Sequence, residues 1–232
     1  MKIGRLNKML MMGYAKLFVL ILAGFLLIDF IYCRIFGNSI NTLYLHWMCG
    51  AAGESLSMAT VILKILNTAL IFLYVGNVCE RFSGRYMMQV FSRITKYVPF
   101  IFKLIILLIF YALLLLFCSH CIFYCVSGSA PDFSDMLMYY LLDGLSLSGL
   151  ILLYIILNNS YVREHSLLYI MGILVANTVS PIPIPLAVST LKYVEMLEYT
   201  GYGVMLLSTA VCVALIIGIY VYSVSRRRLC IC

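Results

Sequence analysis

Long apolar runs, each bounded by polar or charged residues, constrain this chain more than any other feature of its sequence. Together they account for most of its 232 residues. About 20 predominantly apolar residues are enough for a helix to cross the hydrocarbon core of a bilayer. We therefore predict an all-α, polytopic membrane protein with six transmembrane helices, at about residues 17-36, 57-79, 100-126, 136-158, 167-179 and 202-224.

The composition supports the same class of protein. Hydrophobic residues make up 64% of the chain, charged residues only 11%, and the mean hydropathy is +1.06. A soluble chain of this length could not bury so much apolar surface, so lipid must be the solvent for most of it. Six spans leave no room for a sizeable soluble domain, and we expect residues 1-232 to form a single transmembrane domain. The nine cysteines are an odd number and lie mostly in apolar runs, so no disulfide framework is expected.

The distribution of charge predicts the orientation in the membrane. Most cations fall on one side of the predicted spans, together with both termini: Lys2, Arg5, Lys8, Lys16, Arg81, Arg85, Arg93, Lys96, Lys103, Arg163, Arg226, Arg227 and Arg228. The positive-inside rule places that side in the cytoplasm of a multi-pass plasma-membrane protein, which we expect to be bacterial. Residues 1-16 are predicted to form a basic interfacial helix that leads into span one. The cations flank spans and do not cluster with aromatics on a soluble face, which argues against nucleic-acid binding despite the net charge of +7.

The segment between spans two and three has the pattern of a basic amphipathic helix. At 3.6 residues per turn, one stripe is apolar: Tyr86, Met87, Val90, Phe91, Ile94 and Val98. The opposite face carries polar and basic residues: Gln89, Ser92, Arg93 and Lys96. Pro99 interrupts the pattern before span three. We predict a cytoplasmic amphipathic helix over residues 80-99, lying in the headgroup region with its cations toward water, where a soluble partner could bind it.

Four ionisable residues interrupt the predicted spans: Asp29, Lys64, His120 and Asp143. Each charge at the bilayer centre costs roughly 2.5–3.5 kcal/mol on the insertion scale, so each requires a partner or water. Asp29, Lys64 and Asp143 each lie seven residues from the predicted outer end of their span. At about 1.5 Å per residue, all three are roughly 10 Å below the outer boundary of the membrane. They form either a polar layer that lines an outward cavity crossed by a substrate, or one structural pair, Lys64 with Asp29 or Asp143, while the other acid is protonated or reaches water. We favour the structural pair and expect Lys64 to pair with Asp29.

The cysteines of span three do not predict a metal or catalytic site. Cys118, Cys121 and Cys125 recur on one helix face, which cannot supply four tetrahedral ligands to zinc. Packing of small apolar side chains explains them better. Cys118 and His120 point about 200° apart around a helix, so they cannot form a dyad with each other.

Small residues and prolines mark the packing of the last spans. Span six carries a ridge of small residues, Ala210, Ala214 and Gly218, and span four a shorter ridge, Gly144 and Ser148. Such ridges suit close helix contact, within the subunit by default or at a dimer seam. The alternating prolines of residues 181-185 preclude a regular helix and indicate either a short re-entrant or interfacial element on the outer side, or a plain external loop.

Taken together, these features resemble the permease subunits of type-2 ABC exporters. The local match is Glu80-Arg81-x-x-Gly84, then Ser92-Arg93, and then the lysine that opens span three, Lys103. The resemblance implies that the 80-99 segment is a coupling helix seated in a groove of a separate ABC ATPase subunit. The residues implied to bind that partner are Glu80, Arg81, Gly84, Arg85, Arg93 and Lys96. Similar small permeases often export antimicrobial peptides or confer immunity to them, as in bacteriocin and lantibiotic immunity.

The resemblance also implies a dimer, with a second permease copy or a paralogous permease, and ATP and Mg on the partner ATPase. The chain contains no G-x-x-x-x-G-K-[ST] motif, so it has no P-loop of its own and is not expected to be an enzyme. The main alternative is a non-transporting membrane scaffold or accessory protein whose basic helix docks a cytoplasmic partner. An intramembrane enzyme ranks last, because the sequence has no HExxH motif.

Overall fold

A computed structural model of the chain describes residues 3–36, 58–83, 97–127, 133–158, 165–179 and 201–227. The regular structure of these residues is helical throughout, which confirms the prediction of an all-α protein for this part of the chain. The helices are α1 (Ile3–Phe36), α2 (Met58–Ser83), α3 (Tyr97–Ser127), α4 (Phe133–Asn158), α5 (Ser166–Val179) and α6 (Tyr202–Arg227).

Five of these helices are long and apolar enough to cross a membrane. Their apolar stretches have mean hydropathies between 1.7 and 2.7 and run over Gly13–Ile35, Ile62–Glu80, Phe102–Ser127, Leu137–Asn158 and Tyr202–Tyr222. The remaining helix, α5, has 14 residues and is about 21 Å long, shorter than the hydrocarbon core. Five long apolar helices fit a membrane protein, whereas a sixth crossing through α5 stays a prediction.

Several helix ends differ from the predicted span ends. The segment expected as a separate interfacial helix, residues 3–16, continues into span one as part of α1. Helix α2 extends to Ser83, so Glu80 and Arg81 lie in its last turn and not in a new helix. Helix α3 begins at Tyr97 and accommodates Pro99 in its first turn, where the missing N–H would have had no partner in the helix. Whether residues 84–96 form an amphipathic helix lies outside the described residues.

Helices α1 and α2 pack side by side in opposite directions. Near the start of α1, the Tyr14 hydroxyl donates to the Asn77 carbonyl at 3.3 Å, late in α2. Near the end of α1, Asp29 accepts a hydrogen bond from Asn67, in the first half of α2. The start of α1 and the end of α2 therefore lie at the same end of the bundle.

Helix α4 runs in the same direction as α2 and α6. Lys64 contacts Asp143 in the first halves of α2 and α4, and the rings of Phe72 and Tyr154 meet further along both helices at 5.5 Å. The Tyr202 hydroxyl, at the start of α6, donates to a carbonyl near the start of α4 at 3.0 Å.

Helix α3 runs opposite to α6. A ring contact of 6.4 Å joins Phe102, at the start of α3, to Tyr220, near the end of α6. One end of the bundle thus holds the start of α1, the end of α2, the start of α3 and the ends of α4 and α6. The charge count assigns these same segments to a single side of the membrane.

Tyrosines form a large part of the core of the described residues. The buried ones are Tyr14, Tyr32, Tyr74, Tyr111, Tyr139, Tyr154 and Tyr220. Tyr74 lies among the rings of Tyr14, Phe18 and Tyr111, with centroid distances between 6.0 and 6.3 Å. Helix α4 is central, since 61% of its apolar stretch is buried, against 22% for α1 and 28% for α6.

The two small-residue ridges have different roles. Gly144 on α4 is buried, and a Cβ atom there would lie 2.9 Å from Leu113 Cδ2, so this ridge permits close packing of α4 on α3. Ala214 and Gly218 on α6 are exposed, and a Cβ atom at Gly218 would meet nothing within 4 Å. The α6 ridge therefore faces outward at Ala214 and Gly218, which differs from the packing within the subunit expected by default, and a dimer seam there stays a prediction.

Candidate intramembrane polar site

The centre of the candidate site is an ion pair between α2 and α4. Lys64 Nζ lies 3.8 Å from Asp143 Oδ2 and donates a hydrogen bond to the Tyr139 hydroxyl. The same ammonium lies 4.7 Å from the centroid of the Tyr139 ring. Tyr139 and Asp143 are four residues apart on α4, which places both side chains on one face of that helix. The Lys64 ammonium thus contacts two side chains of α4, the Tyr139 hydroxyl and the Asp143 carboxylate.

His120 brings a second basic group from α3 to the same carboxylate. Its Nε2 atom lies 3.6 Å from Asp143 Oδ2. The imidazole packs edge-on against the rings of Tyr139 and Tyr140, with centroid distances of 5.6 and 6.0 Å. Three helices therefore meet at one carboxylate, and we call Lys64, His120, Tyr139 and Asp143 the charged cluster.

Asp29 makes a separate contact with α2. Asn67 Nδ2 donates to Asp29 Oδ1 at 3.3 Å, whereas the ion pair of Lys64 is with Asp143. The expected Lys64–Asp29 pair is therefore corrected. Positions 64 and 67 are about 60° apart around a helix of 3.6 residues per turn, so the first faces α4 while the second faces α1. Asp29 and Asn67 are called the acid–amide pair below.

Both groups of residues lie deep inside the bundle. Asp29 is fully buried, and Lys64 exposes the largest fraction of its surface among the six residues, only 6%. Inside a membrane such groups have little access to bulk water or lipid headgroups, so most of their partners must come from the protein. The four ionisable residues singled out in the sequence are thus distributed over two adjoining polar contacts, both of which involve α2.

A small cavity lies against the charged cluster. Its polar lining comes from Lys64, Asn67, Thr68, Ser119 and Asp143, and aliphatic side chains of α2, α3, α4 and α5 complete it. The cavity volume is about 20 Å³, which is room for about one water molecule. A peptide, lipid or drug-sized molecule does not fit in this cavity, and a polar layer that lines an outward cavity stays a prediction.

Comparison with known proteins assigns no family: no protein-family model, no curated protein and no solved structure matches this chain. The chemistry of the site must therefore be argued from its own side chains. Among the described residues, no three His, Cys, Asp or Glu side chains converge on a point that could hold a metal ion. Cys118, Cys121 and Cys125 are free thiols along α3. The site offers charge pairing and hydrogen bonding within a closed interior.

Two of the residues implied to bind a partner, Glu80 and Arg81, lie at the other end of α2. Glu80 is exposed in the last turn of the helix, and Arg81 follows it in the same turn. The remaining four, Gly84, Arg85, Arg93 and Lys96, are outside the described residues, as is the proline-containing segment of residues 180–200. Their partner-binding role stays a prediction.

Two residues of the site were missed in the sequence. Asn67 follows Lys64 by three residues, and Tyr139 precedes Asp143 by four, so helical spacing alone puts each beside a residue that had been singled out. Asn67 is uncharged, and Tyr139 lies near a span end, where tyrosine is usually an interface anchor. A search for polar side chains at helical spacing from each intramembrane charge would have found both.

Proposed function

We propose that this chain is the membrane-spanning permease subunit of an ATP-driven ABC exporter. It would move a peptide, lipid or drug-like substrate with energy from a separate ATPase subunit, in the plasma membrane of a bacterial cell and beside a second permease copy or a paralogous one. The observation that carries the proposal is the charged cluster, in which Lys64, His120 and Asp143 are buried between three apolar helices. Ionisable residues inside spans are costly, and they commonly mark the paths of substrates or ions.

The connectivity of α2 and α3 supports coupling to a partner. Residues 84–96 join the end of α2 to the start of α3, and each of these helices contributes one basic group of the charged cluster. From Lys64 to Ser83 the distance along α2 is about 28 Å at 1.5 Å per residue. A partner that pushed on the connecting segment would therefore displace Lys64 and His120 together, relative to Asp143 on α4.

The proposed transport cycle involves the charged cluster. The cavity beside it has room for about one water molecule and is too small for a substrate. Separation of α2 and α3 from α4 would break the contacts to Asp143 and open a polar surface between the helices. ATP binding and hydrolysis on the partner would supply the energy for this step, and the chain itself would contribute no catalytic residue.

A non-transporting scaffold or accessory protein is the second candidate. The same cavity favours it, because a buried ion pair in a closed bundle is also a complete structural contact that requires no substrate. In that case residues 80–99 would dock a cytoplasmic partner without any motion of the spans. The two candidates differ in whether nucleotide turnover by the partner moves a solute.

The test first asks whether an ABC ATPase is encoded beside this chain, and then coexpresses that ATPase with the full chain and reconstitutes both into proteoliposomes. We expect the two proteins to copurify, and ATP hydrolysis to drive export of a peptide or lipid-like solute. Arg85→Glu and Arg93→Glu should uncouple hydrolysis from transport while leaving insertion intact. The matched control is Arg34→Glu, since Arg34 is exposed at the opposite end of the bundle, 5.2 Å from the Phe30 ring. Normal transport by the Arg85 and Arg93 variants would contradict the coupling role, and copurification without transport would favour the scaffold.

A further inference from the structure

The acid–amide pair leaves two buried oxygens to be accounted for. Asn67 Nδ2 donates to Asp29 Oδ1, which uses one oxygen of the carboxyl group and the amino group of the amide. The other oxygen of each group, Asp29 Oδ2 and Asn67 Oδ1, is buried and has no hydrogen-bond donor among the described residues. Both atoms are acceptors when the carboxyl group is ionised, so they cannot satisfy each other in that state.

Nearby polar groups do not supply the missing hydrogen-bond donors. The water-sized cavity is lined by Asn67 but not by Asp29, so a water molecule there would leave Asp29 Oδ2 without a donor. Among the described residues, the titratable electrostatic neighbours of Asp29 are Lys64 on α2 and Cys33 on α1. Lys64 is engaged with Tyr139 and Asp143, and Asp29 Oδ2 accepts no hydrogen bond from it.

The balance of charge among the buried residues also favours a neutral Asp29. Lys64 and Asp143 carry opposite charges and form a pair across α2 and α4. With a neutral His120 imidazole, that pair is already balanced, and an ionised Asp29 would add one uncompensated negative charge to the bundle interior. A buried carboxylate without a counter-charge usually becomes neutral by binding a proton.

We propose that Asp29 is a protonated, neutral carboxylic acid that donates from Oδ2 to Asn67 Oδ1. One proton then satisfies both remaining oxygens, and the contact between α1 and α2 becomes a two-point acid–amide pair. The bundle would thus contain two different polar units, a neutral one that holds a proton between α1 and α2, and a charged one among α2, α3 and α4. This inference does not depend on the proposed transport function.

The first test is infrared spectroscopy of the full chain in lipid. A protonated aspartic acid has a carbonyl stretching band separate from the bands of carboxylates and amides. We expect wild type to show this band, and the difference spectrum between wild type and Asp29→Asn to show its loss. If Asp29→Asn left the spectrum in this region unchanged, the proposal would be overturned.

The second test compares thermal midpoints in detergent. Asp29→Asn preserves a two-point contact, because two amides can pair through N–H and C=O groups, so its midpoint should equal that of wild type. Asp29→Leu should lower the midpoint, since it leaves the Asn67 side chain buried without a partner. A large loss in Asp29→Asn would overturn the proposal, because an ionised Asp29 balancing an imidazolium at His120 predicts it. So would a rise of the wild-type midpoint with sodium that Asp29→Asn abolishes, which would identify a metal cation as the occupant.

Discussion

Lys64 Nζ and Asp143 Oδ2 lie 3.8 Å apart and join α2 to α4 inside an apolar bundle. The contact is buried on both sides, and Tyr139 and His120 surround it. For a buried pair of this kind, loss of one partner is more damaging than replacement of both, because the remaining charge has no compensation. A comparison of single and double variants therefore measures what the pair contributes to the free energy of unfolding.

Asp143→Asn should lower the free energy of unfolding by about 3–5 kcal/mol, since it leaves the Lys64 ammonium buried without a counter-charge. The measurement is equilibrium unfolding of the purified protein in mixed micelles. The double variant Lys64→Met with Asp143→Leu is the control, because it replaces both charges by apolar side chains of similar size and should recover most of the loss. An equal loss in the single and double variants would mean that the charges do not act as a pair.

Double-mutant cycles should assign the partner of Lys64. The cycle of Lys64→Met with Asp143→Asn should give an interaction energy above about 1 kcal/mol, as expected for residues in direct contact. The cycle of Lys64→Met with Asp29→Asn should give less than about 0.5 kcal/mol, because Asp29 hydrogen-bonds to Asn67. If the second interaction energy were larger than the first, Asp29 and not Asp143 would be the partner of Lys64.

Gly144→Val should destabilise the protein by about 1–3 kcal/mol through overpacking, because even a Cβ atom there would lie 2.9 Å from Leu113 Cδ2. Gly218→Val is the matched control, since it makes the same change at an exposed helical position with nothing within 4 Å. The measured quantity is the difference between the two unfolding free energies, which removes the effect of helix propensity. Equal effects would show that the Leu113 side chain can move aside without loss.

Cysteine labelling should determine which end of the bundle is cytoplasmic. Gly37 follows the end of α1 and Gly84 follows the end of α2, and these two helix ends lie at opposite ends of the bundle. In a background without the nine native cysteines, a membrane-impermeant maleimide should label Gly37→Cys in intact cells. It should label Gly84→Cys only after the cells are opened. Labelling of Gly84→Cys from outside would reverse the topology and remove the basis for a cytoplasmic coupling segment.

The long apolar helices were predictable because apolar length is a local property of the sequence. Each long helix could be located from its own residues, and the matched depths of Lys64 and Asp143 followed from counting along each helix. Helix ends were less predictable, as the extension of α2 to Ser83 and the start of α3 at Tyr97 illustrate. Polar residues near the interface, such as those of the ERFS stretch, can extend a helix beyond the membrane at little cost.

The partner of Lys64 could not be predicted from depth, because Asp29 and Asp143 lie at similar levels on different helices. The choice depends on the direction in which each residue projects around its helix and on which helices are neighbours in space. An apolar span gives little information on either, since lipid-facing and core-facing positions are both apolar. The outward direction of the α6 ridge at Gly218 was unpredictable for the same reason.

Lys64 and Asn67 lie within one turn of the same helix, and this placement affects how α2 can move. A slide of α2 by one turn, about 5.4 Å, would break its contacts with Asp143 and with Asp29 at the same moment. Loss of both contacts would leave Lys64, Asn67 and Asp29 without these partners in an apolar interior, which is strongly unfavourable. The two contacts therefore oppose a sliding motion of α2 together, and neither can be lost by such a motion without the other.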